Sequence, residues 1–292
     1  MIVVTTPTGD IGARVLARLL DAGEAVRVVA RHPSRLPDGL GRRVETIEGS
    51  HADPDTIARA LDGADRVFWL PPGSPDSPDA EAAYAGFSKA LCDALPPSTV
   101  THVVGVSALG RGWPTPAGQV TASLAMDDMI GATGVAYRAL ACASLMDNLL
   151  RQADSIRENG VFYQPTPGDL ELPHVAKADV AAVAARLLLD PDWKGVAEVP
   201  LLGPEDLSFD EMAAIATETL GRPVRFQPVP MEAFAETLRA GGASEGMVRA
   251  YVEMLAAKHE GMDAMFGDAP REATPTTFRR WCETALRPAV GA

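Results

Sequence analysis

The chain has 292 residues, 47% of them apolar, and a formal net charge of -13. That length supports one large α/β domain, or one domain with a smaller lobe. The negative charge argues against nucleic acid or an anionic membrane as a partner, because either needs a basic face. The three cysteines, Cys92, Cys142 and Cys282, and five scattered histidines form neither a disulfide framework nor a zinc spacing, so no metal is expected. No apolar stretch reaches membrane-spanning length. The chain starts directly in a strand, without a basic and then apolar leader, and a cytoplasmic location is expected.

In chain order, Ile2 to Val4 predicts a short buried strand. Ile11, Val15, Leu16, Leu19 and Leu20 fall on one helical face, and Gly23 closes that helix. Val26 to Val29 and Val44 to Ile47 predict two more strands. Asp53 caps a helix running to Leu61, with Pro54 in its first position. Val67 to Leu70 is a buried strand ended by Pro71-Pro72-Gly73, and residues 71–78 form a loop. A helix over 81–95, a strand over Val103 to Val106, a helix over Gln119 to Thr133 and a strand over Val135 to Leu140 follow. This βα alternation implies an α/β protein with a doubly wound parallel sheet. Beyond about residue 143 helices are expected at 144–158, 178–189, 208–220, 231–240, 244–258 and 275–286. Short extended pieces are expected at 161–164, 196–201 and 224–228. The division reads as a dinucleotide-binding core over 1–150 and a smaller, mostly helical lobe over 151–292, in one compact body with a cleft at the carboxyl ends of the strands.

The first strand runs into Thr5-Thr6-Pro7-Thr8-Gly9-Asp10-Ile11-Gly12. Strand, tight turn and helix N-terminus in that order hold a pyrophosphate on unpaired backbone N–H groups. Thr6, Thr8, Gly9, Asp10, Ile11 and Gly12 are therefore candidate cofactor residues. A full G-x-x-G-x-x-G fingerprint would have glycine at position 6, where this chain has Thr6. The second strand ends in Arg31-His32-Pro33-Ser34-Arg35, beside the expected adenosine ribose. An acidic residue there would select NAD; Arg31 and Arg35 suit a 2′-phosphate, so NADP(H) is expected over NAD(H). Pro71, at the end of the fourth strand, completes this candidate set.

Thr5 to Gly12, the Arg31 to Arg35 loop, His102 to Gly110, Ser144 to Leu150, Ala178 to Ala181, Leu202 to Phe209 and Leu220 to Val224 together resemble the NmrA-like branch of atypical short-chain dehydrogenase/reductases. The resemblance covers nearly the whole chain. It implies a Rossmann fold, NADP(H) binding, and a quinone or carbonyl reductase or a redox-sensing relative.

Many members of that superfamily place Tyr-x-x-x-Lys at the start of a large helix, where tyrosine is the acid and lysine lowers its pKa. Matching the segment ahead of Val135 puts Gln119 and Ser123 there, and none of the four tyrosines has lysine four residues on. Ala141-Cys142 stands where relatives often carry Arg-Pro. Ser107 matches the superfamily's catalytic serine, able to bond a substrate oxygen or the nicotinamide amide; the plainer reading is a strand-end serine bonded to backbone. Gln119 could orient a carbonyl, or lie on a surface helix. Trp113, Met146 and Phe162 are candidate substrate contacts, with core packing as the alternative. Cys142 reads as a small structural residue and Asp127-Asp128 as a solvated face. Met247, Met254 and Met262 read as lobe packing. Hydride transfer to a quinone needs mainly orientation, so the expected function is NADP(H)-dependent reduction of a quinone or other conjugated carbonyl. The alternatives are a non-catalytic NADP(H) sensor and a non-redox biosynthetic enzyme on the same scaffold.

Overall fold

The computed structural model describes residues 1–36 and 39–291. Its centre is a seven-stranded parallel sheet built from β1 (Ile2–Thr5), β2 (Val26–Ala30), β3 (Glu45–Glu48), β4 (Arg66–Trp69), β5 (His102–Ala108), β6 (Ala136–Cys142) and a last strand, Val196–Leu201. The spatial order is β3-β2-β1-β4-β5-β6 with Val196–Leu201 outermost, and every pairing is parallel. The order reverses between β1 and β4, and there an open α/β sheet leaves its ligand crevice.

Alternate residues of each strand face opposite sides. Val4, Phe68, Val104 and Leu140 join one core beneath α1 (Asp10–Asp21) and the helix Lys177–Leu189. Val3, Val67, Trp69, Val103 and Tyr137 join the other, beneath α2 (Pro54–Leu61), α3 (Phe87–Ala94) and α4 (Gln119–Gly131). The doubly wound Rossmann architecture expected from the alternation is thus formed. Asp53 caps α2 as expected, its carboxylate accepting from Asp55 N–H at 3.3 Å. The helix expected over 81–95 opens with a wide π turn, Ala82–Gly86, before α3.

After β6 the chain makes β7 (Ser144–Leu145), a 3₁₀ stretch Met146–Gln152, α5 (Ala153–Asn159), β8 (Val161–Gln164), β9 (Leu172–Val175), α6 (Lys177–Leu189), β10 (Val196–Leu201) and β11 (Asp206–Leu207). Then come α7 (Phe209–Leu220), β12 (Arg225–Pro228), α8 (Met231–Ala240), α9 (Glu245–His259), α10 (Phe278–Trp281) and α11 (Arg287–Val290). One helix over 144–158 does not form. Ser144 and Leu145 instead pair with His174 and Val175 of β9, so long-range pairing overrides local propensity. The strands at 172–175 and 206–207 had no sequence signal; they are short, and Pro173 interrupts the first. The piece at 196–201, expected in the lobe, is β10 and completes the central sheet by pairing six residues with β6. The sheet therefore draws a strand and a covering helix from beyond residue 150. The helix expected at 275–286 starts only at Phe278, where the Thr277 side chain caps it. The lobe has its own core, in which Met146, Phe162, Met212, Phe278 and Trp281 pack together.

Candidate functional site: a glycine turn and a cavity at one end of the sheet

The turn after β1 is tied down by Thr5. Its hydroxyl donates to the Phe68 carbonyl at 3.0 Å and accepts from Leu70 N–H at 2.9 Å, locking the ends of β1 and β4 together. Thr6 takes φ +48°, the one non-glycine residue with positive φ among those described. The fingerprint glycine is absent, yet its left-handed conformation is kept, at a cost of about 1–2 kcal/mol. Gly12 cannot be replaced so easily. A Cβ there would lie 2.1 Å from the Thr6 carbonyl oxygen, so the helix and turn touch backbone to backbone.

Gly9 is the N-cap of the 12-residue α1 and supplies no side-chain cap. The first-turn N–H groups and the positive helix end are left for an anion. Among the described residues the buried Thr6 hydroxyl oxygen also has no partner. The turn therefore fits a dinucleotide pyrophosphate on three counts: uncapped donors, an orphaned hydroxyl and a cradle only glycine allows. Thr8 is exposed beside it and Ile11 is buried, so Ile11 would act through its backbone. The Asp10 side chain points elsewhere, accepting from Lys177 Nζ at 2.8 Å, and that bond holds its carboxyl below the usual range.

Arg31 follows β2 and Arg35 ends the single 3₁₀ turn Pro33–Arg35; both are exposed, and neither forms an ion pair among the described residues. Pro71 is buried just past β4. Beside them lies His51, which sequence reading left unassigned. Its ring packs edge-on against Trp69 (5.3 Å between centroids) and Phe87 (4.7 Å), and its Nε2 lies 3.3 Å from the Leu70 carbonyl. Burial pushes its pKa down to about 4, with the charge of Arg31 adding to the shift, so it is neutral at pH 7.

Ser107 is not bonded to backbone. Its hydroxyl donates to Asp127 Oδ2 at 2.5 Å, and the Tyr137 hydroxyl donates to Asp127 Oδ1 at 2.5 Å. Asp127 is 2% exposed, which corrects the reading of Asp127-Asp128 as one solvated face. The 100° between adjacent helical residues turns Asp127 into the sheet, while the exposed Asp128 pairs with Arg111. Burial outweighs the two hydrogen bonds and the positive charge of Arg111, raising the Asp127 carboxyl to about 6. Gly105 makes room for this trio: a Cβ there would meet the Tyr137 oxygen at 2.3 Å. A glycine inside an apolar strand was the available signal for a bulky neighbour.

Gln119 is the first residue of α4 and is buried, with its amide nitrogen unpartnered among the described residues; Ser123 is buried one turn on. Cys142 is buried, and burial pushes its thiol to about 12, so it is no nucleophile at neutral pH.

A cavity of about 510 Å³ opens where β6 ends, walled by Ser144, Leu145 and Met146 and by lobe residues such as Phe209, Phe234 and Met254. Of the candidate substrate residues, Met146 lines it. Phe162 is wholly buried against Phe226 and Phe209, and its neighbour Tyr163, on the opposite side of β8, reaches the cavity instead. Trp113 packs half-buried against Ala117, Val120, Ala257 and Met262, away from the lining. Met247, Met254 and Met262 pack as expected, and Met254 also lines the cavity. Among the described residues no cluster of His, Cys, Asp or Glu could hold a metal ion, and no helix is long and apolar enough to cross a membrane.

Residues 7–191 match the family described as NAD(P)H-binding. The chain is 31% identical over 257 residues to an NAD(P)H azoreductase of Xenophilus azovorans, covering 88% of this chain and 86% of that one. The structure aligns with the crystal structure of the NADPH-dependent quinone oxidoreductase QOR2 of Escherichia coli complexed with NADPH. The TM-score is 0.75 at 22% identity, over 96% of this chain and 97% of the other. NmrA, a negative transcriptional regulator in complex with NADP, aligns with a TM-score of 0.73 at 14% identity, over 99% and 96%. At those identities the two structures speak for the fold alone.

Proposed function

We propose, from the premise that the chain belongs to the NAD(P)H-binding family and shares its fold with NmrA, that it uses NADP(H) to reduce a quinone or another flat conjugated carbonyl. The observation that carries this reading is that two structures stand at the carboxyl end of one parallel sheet. An uncapped, glycine-built phosphate turn ends β1, and a largely apolar cavity of about 510 Å³ opens at the end of β6. The azoreductase relative and the quinone oxidoreductase neighbour, by their names, reduce conjugated acceptors with a nicotinamide cofactor, which supports the same choice.

The bound dinucleotide supplies the hydride. This chain's residues do the rest. The α1 N-terminus, Thr6 and Gly12 hold the pyrophosphate, and Arg31 with Arg35 binds the 2′-phosphate and so selects NADP(H). Met146 and its cavity neighbours exclude water and lay a flat ring across the end of β6. Ser107, fixed by Asp127, positions the nicotinamide amide or the acceptor oxygen at the end of β5. The Tyr-x-x-x-Lys acid–cation pair is replaced by Gln119 and Ser123. Quinone reduction tolerates that loss, because the oxygen that gains charge becomes a stabilised phenolate and takes its proton from water.

Steady-state loss of NADPH absorbance with a panel of benzoquinones and naphthoquinones tests the reading. Turnover with some member is expected; tight NADPH binding with no turnover on any acceptor overturns it. That second result favours a redox sensor, for which Gln119 and Ser123 at the acid–base positions are the specific support, and a protein partner captured only with one redox form of the cofactor would then be expected.

A further inference from the structure

Two cavities carry opposite charge. The one at the end of β6 has Arg151 and Lys258 in its lining and, among the described residues, no aspartate or glutamate. A second, of about 400 Å³ between α4 and α9, is lined by Asp79, Glu81 and Glu253 with the single cation Arg249. The chain has 39 acidic and 26 basic residues, so the carboxylate-free wall runs against the average of the molecule. A cleft lined by one sign of charge concentrates ligands of the other.

The two cations of the first cavity differ. Lys258 is 7% exposed and donates to the buried Asp263 at 2.5 Å, so its charge is balanced within the protein. Arg151 is exposed and forms no ion pair among the described residues. The carboxylates nearest to it in the chain are engaged elsewhere: Asp147 accepts from Lys177 N–H at 3.0 Å, and Asp154 and Glu158 pair with Arg157 at 2.6 and 3.4 Å. Arg151 lies in the 3₁₀ stretch Met146–Gln152, where residues three apart eclipse one another. Asn148 therefore stands on the same face, and both residues line the cavity. The Gln152 side chain bonds both ways to the Tyr163 backbone, at 2.9 and 2.8 Å, which fixes this stretch against β8, and there Gln164 adds its amide to the wall. Asn148, Arg151 and Tyr163 are exposed and mark the rim, whereas Met146, Leu149 and Met212 are buried and form the interior. The other polar side chains of the lining are hydroxyls such as Thr237 and Tyr251, together with His174, whose burial pushes its pKa down to about 4 and keeps it neutral.

We propose that this cavity selects conjugated acceptors bearing an oxyanion substituent, a carboxylate, a sulfonate or a phosphate ester. Arg151 takes the anionic group at the rim, its fork of N–H donors matching two oxygens at once, and the Asn148 amide stands beside it. The flat ring extends inward among Met146, Leu149 and Phe209. The inference rests on the cavity being the substrate site, as proposed above. Arg151 sets specificity and takes no part in hydride transfer, so no covalent step is involved.

The test uses naphthalene-2-carboxylate, naphthalene-2-sulfonate and 2-naphthyl phosphate against the neutral 2-naphthamide, all flat and none a hydride acceptor. Each is titrated by calorimetry into protein saturated with NADP⁺, which fills the cofactor's own phosphate sites, alongside the quinone turnover assay. At least one anion is expected to bind about tenfold or more tightly than the amide, and the ranking of the three identifies the group. That preference should shrink as ionic strength rises from about 0.05 to about 0.5 M. Arg151→Gln, at an exposed position, should bring the anions down to the amide's affinity and leave the amide within about twofold, while Arg151→Lys keeps part of the preference. Binding of the amide as tight as that of all three anions overturns the proposal without recourse to any variant, and so does a preference that survives Arg151→Gln. Turnover of quinones with no anion preference leaves the reductase reading standing and removes this one. An anion preference without turnover does the reverse.

Discussion

The phosphate turn and the cavity sit at the same end of the sheet, yet they are made in different ways. The turn is built from backbone: eight consecutive residues, a left-handed Thr6 and a Gly12 that admits no Cβ. The cavity is built from side chains that lie more than a hundred residues apart, from Ser144 to Lys258. Under the proposed function, binding at the first rests on main-chain N–H groups common to many folds, and recognition at the second on this chain's own choice of Met146, Tyr163 and Phe209.

If the turn works through backbone geometry, one methyl group in the wrong place should destroy it. Gly12→Val puts carbon atoms against the Thr6 carbonyl, and NADPH affinity should fall at least a hundredfold in a fluorescence titration. Thermal melting would check that the fold survives. Retained affinity would mean that the turn is not the phosphate site.

Buried titratable groups at both regions and between them should show themselves through pH. His51 and His174 are held down to about 4. As pH falls below 6.5 the unfolded chain takes up protons there and the folded chain does not, so stability drops between 6.5 and about 4. Asp127 works the other way. Its folded value of about 6 exceeds the model-peptide 3.8, so its contribution is complete below 3.8 and is lost as pH rises through 6. Acidification from pH 6.5 to 4 should therefore destabilise the protein, and Asp127→Asn should make that decline steeper by about 3 kcal/mol. Urea unfolding at a series of pH values measures both. An unchanged slope in the variant would show that Asp127 does not hold its proton as its burial demands.

A smaller effect is expected at the rim of the turn. Arg31→Ala with Arg35→Ala should weaken NADPH about tenfold or more and leave NADH within twofold, read as a ratio of dissociation constants. Equal losses for both cofactors would remove the 2′-phosphate assignment. The smallest effect is at position 6. Thr6→Gly relieves the left-handed strain but frees the unfolded chain, so the net gain should be below about 1 kcal/mol. A clear destabilisation would point to the Thr6 side chain as a packing element.

What was legible in the sequence follows the same division. Strand, turn and helix from Ile2 to Leu20 lie in one continuous stretch with regular periodicity, so this strand–turn–helix unit could be read directly. Asp127 could not, because adjacency told that two carboxylates point 100° apart without saying which one faces the sheet. Phe162 and Tyr163 pose the same problem in a strand: the alternation is evident, but which side is cavity depends on α7 and β12, which arrive some fifty residues later. The role of 196–201 needed β6 as its partner.

The central claim is that the turn and the cavity serve one reaction. Stopped-flow mixing of the NADPH-loaded protein with a naphthoquinone tests it most directly, following nicotinamide absorbance in a single turnover. The account predicts a first-order loss that saturates with quinone concentration and is abolished by Gly12→Val. Absorbance that stays constant at saturating quinone, in protein shown to be NADPH-bound, would contradict it.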